Sequence, residues 1–173
     1  MAKAKKAQPK KELKMPVIKS EELNLAVHFV ANILVPVVRF MFRVVPHGIE
    51  KLPKSGAYIL VANHVTNVDA LAVAYFIYKQ LHRGPHFLAK ESLFRVPVLG
   101  PLITAAGQIP VYRSTHRNDA PLRAANAYLE AGHCIAIFPE GTLTRDPELW
   151  PMRGRTGAVR LALETGVPVY AMG

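Results

Sequence analysis

Between Ala57 and Ala171, short apolar runs rich in β-branched and aromatic residues alternate with longer stretches of helical composition. This alternation limits the chain more than any other feature. The runs occupy residues 57–62, 86–89, 109–112, 133–138 and 167–171, each of a length that suits a buried strand. The helical stretches are punctuated as helices should be: the first ends near Arg83-Gly84-Pro85, residues 120–131 are stopped by Gly132, and residues 156–165 by Gly166. Residues 46–56 form a turn-rich lead-in in which Ile49 and Leu52 mark a short strand before Pro53. Strands alternating with helices pair in parallel, so the fold class expected is α/β: a largely parallel sheet flanked by helices, with sites at the carboxyl ends of the strands.

The first run leads into the clearest chemical constellation. Asn63-His64-Val65-Thr66-Asn67-Val68-Asp69 turns from strand to helix, with Thr66 or Asn67 placed to act as N-cap. His64 leaves the end of a strand while Asp69 sits in the first helical turn, a separation that can bring carboxylate to imidazole. A neutral imidazole can take the proton of an alcohol as that alcohol attacks an acyl carbon. The carboxylate would fix the ring's tautomer and stabilise the imidazolium that forms. No residue reads as an activated protein nucleophile, so the attacking oxygen would belong to the substrate. The competing reading is a strand-end histidine with a purely structural role.

Other strand ends carry polar groups too. Lys90 follows the second run, and Arg113 closes Gly107-Gln108-Ile109-Pro110-Val111-Tyr112-Arg113. Arginine holds a phosphate by two parallel donors and lysine holds it as a point charge, although single surface cations are commonly just solvated. In Phe138-Pro139-Glu140-Gly141-Thr142 the strand stops at Pro139 and Gly141 lets the backbone turn tightly beside a ligand. Backbone N–H groups there can meet an anion, with the Thr142 hydroxyl as a further donor. Glu140 either hydrogen-bonds an acceptor's hydroxyls or pairs with a nearby arginine to hold the loop. The remaining histidines lack metal-ligand spacing, so no metal is expected, and His116 and His133 read as structural or surface groups. Cys134, the single cysteine, lies in an apolar run and reads as core.

In order along the chain, the His64 to Asp69 motif, the stretch from Lys90 to Arg113, Phe138-Pro139-Glu140-Gly141-Thr142 and Val167-Pro168-Val169-Tyr170 resemble the four blocks of the glycerolipid acyltransferase superfamily, whose best-known members are the 1-acylglycerol-3-phosphate acyltransferases. The resemblance covers residues 48–173, and H-x-x-x-x-D followed by F-P-E-G-T is its specific part. It implies that a fatty acyl group moves from a thioester, acyl-CoA or acyl carrier protein as co-substrate with no other cofactor, to the hydroxyl of a lysophospholipid in phospholipid biosynthesis. The acceptor expected first is 1-acylglycerol-3-phosphate, giving phosphatidic acid; glycerol-3-phosphate, another lysophospholipid or a glycolipid are the alternatives.

The resemblance makes His64 the base and Asp69 its orienter, sets Arg113 with Lys90 on the acceptor's phosphate, and gives acceptor binding to Glu140, Gly141 and Thr142. Relatives often carry an arginine close behind the threonine. Here Leu143-Thr144 intervene, so that role passes to Arg145, with Arg153 as another candidate. Residues 93–103, apolar yet broken by Pro and Gly, read equally as a buried short helix or as an acyl-chain wall touching the membrane. Relatives continue past Val-Pro-Val with further strand and helix, so a domain ending at Gly173 is expected to be truncated.

The amino-terminal region points to a surface. Residues 1–19 hold seven lysines and few apolar groups, which reads as a disordered basic arm without the apolar core of a signal peptide. Residues 20–47 form the next segment, in which Asn24, His28, Asn32, Pro36, Arg39 and Arg43 recur every three or four positions. At about 100° per residue they fall in one arc of roughly 120°, which describes an amphipathic helix with a narrow polar stripe. Such interruptions do not suit a spanning helix, and Pro36 would kink or divide it.

With a formal net charge of +10, the chain asks for an anionic partner. No aromatics interleave with the lysines, so nucleic acid is not expected, whereas anionic lipid at the cytoplasmic face of a membrane fits arm and helix together. The alternative packs the helix on the protein's own core with its stripe in water. Two other functional classes stay open, a catalytically silent membrane-surface module and a hydrolase in which His64 activates water. The order of His64, Asp69, Arg113 and Glu140 argues against the first, and products formed with and without a lysophospholipid separate the second.

Overall fold

The computed structural model describes residues 23–43, 45–112 and 119–173. The basic arm at 1–19, Arg113 and His116 therefore lie outside the described residues. The five apolar runs form the strands β1 (Tyr58–Ala62), β2 (His86–Lys90), β3 (Ile109–Val111), β4 (Cys134–Ile137) and β5 (Val169–Met172). They pair in one sheet of order β3-β2-β4-β1-β5, and every pairing is parallel. The helices are α1 (Leu25–Met41), α2 (Asp69–Leu81), α3 (Leu99–Ala105), α4 (Ala120–Glu130) and α5 (Gly157–Thr165). The α/β expectation is borne out.

Period-two alternation builds the two faces of the core. Ile59, Ile135 and Ile137 point with Ile109 toward α4 and α5, where Leu129, Ala158 and Leu161 meet them. Tyr58, Leu60, Cys134 and Ala136 point the other way, against Val73, Ile77 and Leu81 of α2. Each fully buried isoleucine or leucine contributes about 1.5–3 kcal/mol of apolar transfer, so a one-residue slip in register would exchange the two faces and forfeit both. Cys134 is buried in this core.

Adjacent β1 and β4 send their chains to opposite faces, β1 into α2 and β4 toward α5. A sheet opens a crevice at the carboxyl ends of such neighbours, and parallel sheets bind ligands there. Both the His64 turn and the Phe138 to Thr142 turn issue from these two strand ends.

Three local readings need correction. Residues 49–51 form a 3-10 turn, not a strand, because the Lys51 and Leu52 N–H groups close onto the nearby carbonyls of Gly48 and Ile49. Neither Thr66 nor Asn67 caps α2; Val68 holds the cap position with no side-chain bond, and Asp69 turns its carboxylate back onto the preceding N–H groups. Pro36 does not divide α1, which runs unbroken for 17 residues, and Arg43 lies past its end. After α2, Arg83 does more than mark a stop. It is buried, donates to the carbonyls of Pro53, Gly56 and Gly132, and lies over the Tyr58 ring, tying the lead-in to the sheet.

Helix α1 packs on α2 and α3 through Ala31 and Val38, with Asn24 donating to the Ala105 carbonyl and His28 bonded to the Tyr78 hydroxyl. The start of its polar stripe thus faces the protein. On the far side Phe29, Ile33, Val37 and Phe40 are exposed, Phe40 at 93%. Among the described residues no helix is long and apolar enough to cross a membrane.

Candidate active site

Beyond β1 the chain closes a tight loop on Asp69. Its Oδ2 accepts from the N–H groups of Val65 at 2.6 Å and Thr66 at 2.8 Å, and Oδ1 accepts from the Thr66 hydroxyl at 2.5 Å. His64 Nδ1 lies 3.0 Å from Oδ2. Partial burial by itself pushes the Asp69 carboxyl up, and the bonds from Thr66, His64 and Val65 together outweigh it, holding the group below its ordinary value. An ionised carboxylate can only accept, so the proton of the His64 ring sits on Nδ1 and the lone pair on Nε2. Among the described residues no hydrogen bond engages Nε2. The ring is held flat by Phe138, stacked at 4.2 Å between centroids, and Phe87 stacks behind that ring.

Glu140 holds the same histidine from below. At 6% exposure it accepts the His64 N–H at 2.9 Å through Oε1 and the Met152 N–H at 3.0 Å through Oε2. Each oxygen thus accepts from a backbone donor, a bracing role that neither acceptor hydroxyls nor an arginine partner had suggested. A second tie, from the Thr144 N–H to the His64 carbonyl at 2.6 Å, fastens the loop after β4 to the turn after β1. Glu140→Ala leaves two donors unsatisfied, and urea unfolding should show a loss of about 2 kcal/mol, with less lost in Glu140→Gln, which keeps one acceptor. Unchanged stability in the alanine variant would contradict this brace.

Gly141 adopts φ +68, a left-handed conformation that a residue with a Cβ would adopt only under strain, and its N–H bonds the Phe138 carbonyl at 3.0 Å. Thr142 follows, half-buried, in the bend beside it. Lys90 ends β2, exposed, in register with Val111 at the end of β3. Arg113, two residues on, is outside the described residues. Arg145 is exposed on the outgoing limb of the loop, and Arg153 is exposed near its end. Sequence reasoning passes over Arg155, whose N–H bonds the Pro139 carbonyl at 2.8 Å and whose side chain crosses Gly141. The alternation Arg153-Gly154-Arg155 is the signal that could have pointed to it.

An apolar cavity of about 340 Å³ lies between α1, α2 and α3, beside the His64 to Asp69 turn. Its lining includes Leu34, Asn67, Leu71 and Tyr75, and also Leu93, Leu99 and Ile103. Residues 93–103 hold a short helix, α3, of which only Gly100 is buried, and Leu93, Leu99 and Ile103 line the cavity.

The acyltransferase family matches residues 43–173. The chain is 31% identical over 147 residues to a chloroplastic 1-acyl-sn-glycerol-3-phosphate acyltransferase of Brassica napus, covering 82% of this chain and 40% of that protein. It is 32% identical over 129 residues to a 1-acyl-sn-glycerol-3-phosphate acyltransferase of Borreliella burgdorferi, covering 73% and 49%. An uncharacterized protein of Mycobacterium tuberculosis is 31% identical over 162 residues, covering 86% and 43%. The chain therefore spans less than half the length of these relatives.

Proposed function

The chain belongs to the acyltransferase family, and from that premise we propose that it transfers a fatty acyl group from a thioester, acyl-CoA or acyl carrier protein, to the free hydroxyl of a lysophospholipid, first of all 1-acylglycerol-3-phosphate. One observation carries the reading: an imidazole whose Nδ1 is held by a carboxylate and whose Nε2 is unengaged among the described residues, at the carboxyl ends of two neighbouring strands. The acceptor hydroxyl gives its proton to Nε2 as its oxygen attacks the thioester carbon. The C–O bond forms, the C–S bond breaks, and the thiolate leaves with the proton returned by the imidazolium. Asp69 stabilises that cation, and two 1-acylglycerol-3-phosphate acyltransferases among the relatives favour this acceptor.

The apolar cavity beside the turn suits a fatty acyl chain, since its walls offer burial without polar demands. Membrane association at the cytoplasmic face, through the lysine arm and the exposed apolar side of α1, would bring lipid substrate to these strand ends.

Labelled acyl-thioester offered with a panel of lysophospholipids, glycerol-3-phosphate and water tests this function. Transfer to 1-acylglycerol-3-phosphate is the expected result, and label appearing only as free fatty acid would favour a hydrolase. In the same assay Arg113→Ala should raise the acceptor KM by about tenfold or more and leave thioester use nearly intact, because only the acceptor presents a phosphate to this residue. Equal losses for both substrates would make Arg113 structural.

A further inference from the structure

We propose that Leu149-Trp150-Pro151, the outermost turn of the loop between β4 and α5, is an interfacial anchor that seats the site on an anionic bilayer. The proposal rests on the acyl-transfer reading, which makes the acceptor a lipid, and adds the place where the bilayer meets the site. Residues 147–151 are all exposed, with Leu149 at 56% and Trp150 at 67%. Tryptophan suits the boundary of a bilayer because its ring is apolar and its N–H still needs a polar partner.

The local backbone holds these side chains outward. Leu149 has φ +64, a left-handed conformation that is costly for a residue with a Cβ. Asp146 maintains it: Oδ1 accepts the Glu148 N–H at 2.9 Å and the Trp150 N–H at 3.3 Å, while the Asp146 carbonyl accepts the Leu149 N–H at 3.0 Å. The Thr144 hydroxyl donates to the Trp150 carbonyl at 2.8 Å, and Pro147 and Pro151 stiffen the chain on either side. A braced turn that displays a leucine and a tryptophan adds no core burial, so its partner is to be sought outside the fold.

Charge selects that partner. Arg145 and Arg153 flank the turn, both exposed, and among the described residues neither forms an ion pair. The Asp146 carboxylate is engaged by backbone N–H groups, which leaves Glu148 as the one other acid between residues 141 and 155. An apolar turn between two cations matches an anionic lipid surface, with the indole at headgroup level and the guanidinium groups on phosphate oxygens.

Both limbs of the loop are fastened to the base. The Thr144 N–H bonds the His64 carbonyl at 2.6 Å, and the Met152 N–H bonds Glu140, whose other oxygen holds the His64 N–H. A surface that takes up Trp150 is therefore linked to the backbone of His64. Helix α1 alone at a bilayer would leave the domain free to roll about the helix axis. A second contact tied to His64 removes that freedom and turns the site toward the lipid that carries the attacking hydroxyl.

Trp150 is the only tryptophan in the chain, so emission from the full chain reports on this turn alone. Vesicles of phosphatidylcholine and phosphatidylglycerol should shift the emission to the blue, and brominated acyl chains in the same vesicles should quench it. With Leu149→Glu and Trp150→Glu together, turnover of 1-acylglycerol-3-phosphate carried in such vesicles should fall about tenfold, while the melting temperature and the turnover of a short-chain, monomeric acceptor stay at wild-type values. Emission that neither shifts nor is quenched overturns the anchor, whether or not the chain co-sediments through α1. A shift with acyl carrier protein but not with vesicles assigns the turn to a protein partner and overturns the anchor too. Unaltered turnover of the vesicle-borne acceptor, or equal losses on both acceptors, does the same. A shift with quenching but no acyl transfer leaves the anchor standing and sinks the acyl-transfer reading.

Discussion

His64→Ala should lower the proposed acyl transfer by about 10²-fold or more, the usual contribution of a general base, and leave the protein folded. The ring is partly exposed and its packing partner Phe138 keeps Phe87 on its other side, so little core is lost with the imidazole. Asp69→Asn is expected to do comparable damage for a different reason. An amide presents an NH₂ where Oδ2 now accepts from three donors, and a donor facing Nδ1 would push the ring proton to Nε2, removing the lone pair that takes the substrate's proton. Steady-state turnover of both variants, beside their melting curves, checks this. A folded His64→Ala protein with near-normal turnover would sink the mechanism.

Deleting residues 1–46 should abolish binding to anionic vesicles at every salt concentration, whereas deleting residues 1–19 should weaken it mainly at low salt. Lysines near an anionic surface contribute about 1 kcal/mol each, and salt screens them. Apolar burial by α1 is not screened. The fold decides which residues should enter the lipid. Leu34 lines the cavity between α1, α2 and α3, so a charge there would disturb packing, not attachment. Phe29 and Ile33 are exposed on the opposite side, at 57% and 53%. Phe29→Glu with Ile33→Glu should therefore detach the full-length chain from vesicles while Asn32→Glu does not. Vesicle co-sedimentation decides, and undiminished binding of the double variant would move the contact to the exposed Val96 and Val98.

Part of the candidate site is legible in the sequence. His64 and Asp69 lie five residues apart across one strand-to-helix turn, so their meeting depends only on local backbone geometry. The left-handed turn at Gly141 is legible for the same reason. Glu140 stands out in its motif, but its work cannot be read there, because its partner, the His64 N–H, is 76 positions away. Distance from Thr142 singles out Arg145, yet the loop's return path brings Arg155 back to the turn, with its N–H on the Pro139 carbonyl and its side chain beside Gly141.

Strand length, helix punctuation and period-two burial are written in short windows, and from them the α/β class, the five strands and the meeting of His64 with Asp69 follow. The order β3-β2-β4-β1-β5 does not follow, and it is what puts the His64 turn beside the Phe138 to Thr142 turn. Nor does the orientation of α1. Its polar stripe describes a free amphipathic helix, yet Asn24 and His28 find partners on α3 and α2, leaving a different apolar face outward. A helical wheel records which residues share a face; what that face touches depends on the elements that fold against it, and those lie 50 to 81 residues away in the chain.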